Sequence, residues 1–169
     1  MLNTSTMTYS FTHPTQADLP RIMEIENAGF SPESAATEVA MQGRIDVIND
    51  SFILARDANG TIAGYIVGPV SSERYITDNL FSQSSPNPAT GGVQTVLSLA
   101  VHPDYRGLGV ARALVERLIG HCQTVQREAI SLTCLANLVP FYEDLGFVNE
   151  GESASEHGGE VWYNLVREL

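Results

Sequence analysis

The chain has 169 residues, 43% apolar and 17% charged, a balance that suits one domain with a buried core and excludes a disordered or fibrous protein. Twenty acidic against 9 basic residues leave a formal charge of −11, which argues against nucleic acid as a partner and would attract cationic ligands such as amines, although it also serves solubility. No apolar run approaches the roughly 20 residues of a spanning helix and Met1–Thr8 lacks an apolar signal-peptide core, so we expect no membrane segment and a loose N-terminal tail over residues 1–8.

Tyr9 to Thr12 alternates enough for a strand. Thr15 with Asp18 forms a capping-box pattern that opens a helix carrying Leu19, Ile22, Met23, Ile25 and Glu26 up to Phe30. Ser31-Pro32 breaks it, and Glu33 to Gln42 is expected as a second helix. Strands over Ser51–Arg56 and Thr61–Val70 are joined by Asp57-Ala58-Asn59-Gly60, whose Asn-Gly pair signals a hairpin. Ser71 to Gly92 is a polar surface loop with a short helical turn near Tyr75–Phe81, and a loop of that length usually covers a site. Val93 to Val101 is the most apolar strand. A helix follows from Gly109 to Cys122, on the spacing of Val110, Leu114, Val115, Leu118, Ile119 and Cys122. Ala129 to Leu135 is a strand, and Asn137 is placed to cap a short helix that tolerates Pro140 in its first turn and ends at Gly146. Strands over Phe147–Glu150 and Val161–Val166 close a single domain over residues 1–169. The order is β-α-α-β-β-β-α-β-α-β-β, a mixed α/β fold.

Cys122 and Cys134 lie in apolar stretches; they read as buried free thiols of a cytoplasmic protein, with pairing as the alternative. His13, His102, His121 and His157 are scattered, so no metal site is expected.

The informative segment is Arg106-Gly107-Leu108-Gly109-Val110-Ala111, where a strand runs through a glycine-bearing turn into the long helix. Such a turn exposes unpaired backbone N–H groups at the positive end of the helix dipole and suits a pyrophosphate. An ordinary strand-to-helix turn also uses glycines. The P-loop lysine is absent, and Arg112 stands where a dinucleotide fingerprint needs its third glycine.

The run from Leu99 to Ala111 resembles the acetyl-CoA signature of the GCN5-related N-acetyltransferases, with its pattern falling on Arg106, Gly109 and Ala111. A second signature, Phe141-Tyr142-Glu143-Asp144-Leu145-Gly146-Phe147, follows at a suitable distance, and the element order matches. The resemblance implies a central mixed, splayed sheet flanked by helices. Within the family, Cys134–Glu143 and Glu24–Phe30 look most like the arylalkylamine N-acetyltransferases.

On that resemblance, Leu99, Ala100, Val101, Arg106, Gly107, Leu108, Gly109, Val110, Ala111, Asn137 and Tyr142 would bind acetyl-CoA as co-substrate, with no metal. A bulge in the Leu99–Val101 strand would admit the pantetheine arm and aim a backbone N–H at the oxyanion. Tyr142 would be the acid for the departing thiolate, and packing is its other reading. Vertebrate arylalkylamine enzymes carry two histidines where this chain has Thr95 and Leu97, so that base is missing. Glu33 resembles the glutamate insect relatives use, and Glu26 is a second possibility; each is also what a solvated helix-end carboxylate looks like, and a water chain to bulk solvent is the alternative to both. His157 is weighed as an acceptor-site residue against an exposed turn histidine, and Cys134 as a nucleophile against a core thiol. The expected reaction is direct acetyl transfer to the primary amine of a small molecule, in a protein that the family likeness suggests is a homodimer. The alternatives are a CoA-binding sensor without catalysis and a protein or peptide acetyltransferase.

Overall fold

The computed structural model describes residues 8–155 and 159–169; His157 and all of the expected tail but Thr8 lie outside them. The described residues form strands β1 Ser10–Thr12, β2 Phe52–Arg56, β3 Ile62–Val67, β4 Val70–Ser71, β5 Val93–Val96, β6 Ser98–Val101, β7 Ala129–Leu135, β8 Val148–Glu152 and β9 Trp162–Glu168. The helices are α1 Leu19–Gly29, α2 Glu38–Val47, α3 Val110–Thr124 and α4 Val139–Glu143. One sheet has the order β1-β2-β3-β6, all antiparallel; the other has β4-β5-β7-β9-β8, in which β5 and β7 alone run parallel. The mixed, splayed architecture expected from the sequence is therefore present.

Two apolar layers cover the first sheet. On one face Leu19, Ile22 and Ile25 of α1 and Met41 and Ile45 of α2 pack on Phe52, Leu54 and Tyr65. On the other, Val110, Leu114, Val115 and Leu118 of α3 pack on Ile53, Ala55 and Ile66 and continue to Ile130 and Leu132 in the second sheet. The Asn-Gly hairpin forms as expected: Gly60 has φ 83°, and Asp57 Oδ1 accepts from the N–H groups of Asn59 at 2.9 Å and Thr61 at 3.0 Å.

The structure corrects four local expectations. The second helix begins at Glu38 and not at Glu33, because Thr37 is its cap, its hydroxyl accepting from Ala40 N–H at 3.1 Å, while residues 31–35 form a turn closed on the Ser31 carbonyl. The strand expected over Thr61–Val70 ends at Val67. An added Cβ on Gly68 would lie 2.0 Å from the Thr95 carbonyl oxygen, so glycine alone allows this contact between the two sheets. Asn137 does not cap a helix: it lies in an exposed 3-10 turn, Ala136–Leu138, and Leu138 is the residue that precedes α4. The strand expected over Val93–Val101 is two strands in different sheets, broken at Leu97. Apolar continuity hid the break because both halves are flanked by structure on both faces.

Candidate active site

The break at Leu97 makes the site. β5 stays paired with β7, while β6 leaves to become the edge of the first sheet. Leu97 N–H donates to the Val67 carbonyl at 2.8 Å, and Ser98 is the register partner of the same Val67, so two residues oppose one. Further along, His102 N–H donates to the Ala63 carbonyl at 2.8 Å. Alternation from that bond makes Tyr65–Ala100 and Val67–Ser98 the hydrogen-bonded pairs. The N–H groups of Leu99 and Val101 consequently point away from β3, into the gap towards β7. Ala100 faces the other way, its side chain buried against α1 and its backbone turned to Tyr65.

A cavity of about 140 Å³ occupies this gap, with Leu97 and Leu99 on one wall and Leu132, Thr133 and Cys134 on the other. Tyr142 lies at its side, wedged edge-on between Phe141 (5.0 Å) and Phe147 (5.5 Å). The Tyr142 hydroxyl has no hydrogen-bond partner among the described residues. Burial pushes its pKa upward, so it keeps its proton throughout the neutral range and is fit to donate. Cys134 lines the same cavity, but burial pushes its thiol up to about 11, which removes the thiolate a nucleophile needs. Both cysteines are free and buried, as the sequence suggested.

At one end of β6 the chain enters the glycine turn. Gly107 and Gly109 adopt φ 77° and 81°, which only glycine takes without strain. Space is open around both positions, so their role is this backbone conformation together with an uncovered approach. The first α-helical bond of α3 runs from Ala113 N–H to the Gly109 carbonyl, which leaves the N–H groups of Val110, Ala111 and Arg112 without helical partners. No acidic residue stands in that first turn to compete with an anion. Val110 contributes backbone only, because its side chain is buried in the core. Arg106 is exposed, reaching the Ala28 carbonyl at 3.5 Å, and Leu108 is exposed beside it.

A second chamber of about 270 Å³ adjoins the first, sharing Phe30, Ser34, Phe81 and Leu97 with it. Glu33 sits exposed on its rim, in the turn after α1, rather than beside Tyr142. Glu26 also lines it but is 1% exposed and fully engaged: Oε1 accepts from the Tyr65 hydroxyl, and Oε2 from Ala36 N–H at 2.8 Å and Ser98 Oγ at 3.4 Å. Thr95, one of the two positions considered for a base, is buried and donates to the Pro69 carbonyl at 2.6 Å, while Leu97 lines both chambers.

The loop between β4 and β5 covers the first chamber with Ile76, Asp78 and Phe81 and the second with Phe81 and Ser82. Side chains from distant elements fasten it. Arg74 binds Glu150 at 2.7 Å and Glu168 at 2.8 Å, and the Tyr75 hydroxyl donates to Glu150 at 2.7 Å. Buried Arg44 donates to the Phe81 carbonyl at 2.9 Å, and Ser155 donates to Asp78 at 3.4 Å. Sequence reasoning missed Asp78, Phe81 and Trp162 as lining residues. Two of them lie in a polar stretch without periodicity, and the chain's single tryptophan was the one compositional signal available.

Among the described residues no group of three or more histidine, cysteine or carboxylate side chains is positioned to hold a metal ion. No described helix is long and apolar enough to cross a membrane.

The chain is 26% identical over 113 residues to an uncharacterized N-acetyltransferase, ycf52, of Pyropia yezoensis, covering 67% of this chain and 53% of that one, so it spans about half the length of such relatives. Its fold matches a phosphinothricin acetyltransferase of Sinorhizobium meliloti in complex with AcCoA, with TM-score 0.72, 20% identity and coverage of 96% and 89%. It equally matches the NatC complex bound to Gag peptide and CoA, with TM-score 0.74, 21% identity and coverage of 96% and 99%. At these identities the structures speak for the fold alone. The family model of the acetyltransferase (GNAT) domain matches residues 19–163, and the chain belongs to that family.

Proposed function

We propose that the protein transfers acetyl from acetyl-CoA directly to the primary amine of a small molecule. The observation that carries this reading is the gap between β6 and β7, where the outward N–H of Leu99 and the free hydroxyl of Tyr142 border one cavity. Pyrophosphate would rest on the N–H groups of the Gly107–Arg112 turn, beside Arg106 and Leu108, and pantetheine would lie along Leu99 and Val101 as a surrogate strand. Asn137, exposed in the 3-10 turn before α4, would meet the same arm on the family likeness.

The amine attacks the thioester carbonyl, and the carbonyl oxygen becomes an oxyanion. Leu99 N–H is placed to stabilise it, a donor worth about 3 kcal/mol in such sites. Tyr142 donates a hydrogen bond and then its proton to the departing sulfur, and regains a proton from the ammonium of the collapsing intermediate. An alkylammonium must first lose a proton to become a nucleophile. We assign that step to Glu33 acting through solvent, because Glu26, the other carboxylate of the chamber, is occupied by three hydrogen bonds.

The roof over the chambers supports a small acceptor over a peptide. Phe30, Phe81 and Trp162 offer apolar surface, and Asp78 adds a carboxylate, a combination suited to a cationic amine with an apolar or aromatic arm. That is the acceptor the arylalkylamine likeness implies. The test is a thiol-release assay with acetyl-CoA across arylalkylamines, polyamines, amino acids and N-terminal peptides. Turnover confined to peptides would overturn the small-molecule reading, and thiol release with none of them would favour a binding module.

A further inference from the structure

We propose that Glu26 is a positioning residue that sets the Leu97–Ser98 break, and through it aims the Leu99 N–H at the reacting carbonyl. The inference rests on the reading of Leu99 given under "Proposed function".

On α1 the buried stripe reads Leu19, Ile22, Ile25, Glu26, so a carboxylate occupies a place where packing alone calls for an apolar side chain. Burying it is unfavourable unless its oxygens are satisfied, and they are, by groups from three different elements. Ala36 belongs to the turn between α1 and α2, Tyr65 to β3, and Ser98 to the first residue of β6. Arg44, also 1% exposed, lines the same chamber and donates from Nη2 to the Phe81 carbonyl, which holds the roof.

The placement of Ser98 carries the proposal. It is the residue at which β6 rejoins β3 after the bulge, and its neighbour Leu99 carries the outward N–H. The side chains of Ser98 and Ala100 face α1, those of Leu99 and Val101 pack on the opposite face, and the Leu99 and Val101 N–H groups point into the gap; a tether on Ser98 therefore fixes the rotation of the strand about its own axis. The same carboxylate holds Ala36, in the turn that presents Phe30 and Ser34 to both chambers. One buried group thus joins the acceptor wall to the oxyanion donor.

Three single substitutions and their partition between kcat and KM test this. Ser98→Ala removes the tether to β6 and one hydroxyl from the wall of the second chamber; kcat at saturating amine should fall about tenfold, the scale of a misaimed catalytic group, with acetyl-CoA affinity unchanged and a parallel pH profile, whereas a lost acceptor contact alone would raise KM for the amine. Tyr65→Phe removes a hydrogen bond from the same carboxylate without touching β6; it should lower Tm and leave kcat within about twofold of wild type. Glu26→Gln alters the bonds to Ala36, Tyr65 and Ser98 together and should reproduce the kcat loss of Ser98→Ala with a lower Tm. Ser98→Ala matching wild-type kcat, or a kcat loss that rising pH restores, would overturn the proposal. Absence of any turnover by the wild-type protein would instead remove the functional reading, and this inference with it.

Discussion

The two sides of the cleft are held by different kinds of force. On the side we assign to the cofactor the parts are backbone: the outward N–H groups of β6, the positive φ of Gly107 and Gly109, and the unpaired first turn of α3. On the side we assign to the acceptor the parts are side chains fastening a loop: Arg74 to Glu150 and Glu168, Arg44 to Phe81, and Ser155 to Asp78. A site made of backbone keeps its geometry through sequence change, which suits a co-substrate that does not vary. A site made of loop tethers changes with a few substitutions, which suits acceptor choice on a common fold.

The largest expected break in this comparison comes at the junction of the two sides. Tyr142→Phe should lower kcat about a hundredfold, the scale of general acid catalysis, while acetyl-CoA binds as before; steady-state kinetics beside calorimetric titration of the cofactor checks both. Next, Gly109→Val forces a β-branched residue into φ 81° at the start of α3 and should weaken acetyl-CoA binding about tenfold without changing amine preference. Smaller is Arg74→Ala, which frees Glu150 and loosens the roof. The KM for amine should rise several-fold at nearly constant kcat and cofactor affinity, since exposed ion pairs contribute little individually. A fall in cofactor affinity equal to the rise in KM would show that the two sides are not separable.

The smallest effect is one of pH. Arg74 first, and the Tyr75 hydroxyl second, hold the Glu150 carboxyl down at about 2. A carboxylate depressed in the folded state stabilises it above the unfolded value near ~4.3, and the contribution fades as pH falls through about 2. The roof should therefore loosen between those limits ahead of the core, and an NMR titration of the Glu150 carboxyl carbon in wild type and Arg74→Ala would show the tether as a rise towards the ordinary value in the variant.

This division also explains what was legible in the sequence. Arg106 to Ala111 is contiguous, and its fitness for an anion follows from local rules of glycine and helix start, whereas the role expected of Phe141 to Phe147 came only from the family resemblance. The hairpin at Asn59-Gly60 and β7, Ala129–Leu135, were readable from local rules too. The length of Ser71–Gly92 marked it as a site cover, but its tethers were not readable, because Arg44 meets Phe81 across 37 residues and Arg74 meets Glu150 across 76. The break at Leu97 was hidden inside a run whose both halves are apolar, and the late start of α2 turned on Thr37, a cap that helix propensity alone passes over. Glu26 was named as a possible base, yet its value lies in what it holds, since a polar residue on a buried stripe marks a network without naming its partners.

The central claim is that acetyl-CoA lies in the gap between β6 and β7 and gives its acetyl group directly to an amine. The most direct measurement follows thiol release and the mass of the amine together, with wild-type protein, acetyl-CoA and a panel of primary amines. One acetyl group gained by the amine for each thiol released, with no acetylated protein intermediate, is the expected result. Saturable acetyl-CoA binding with no thiol release on any amine or peptide, or an acetyl group found first on Cys134, would contradict it.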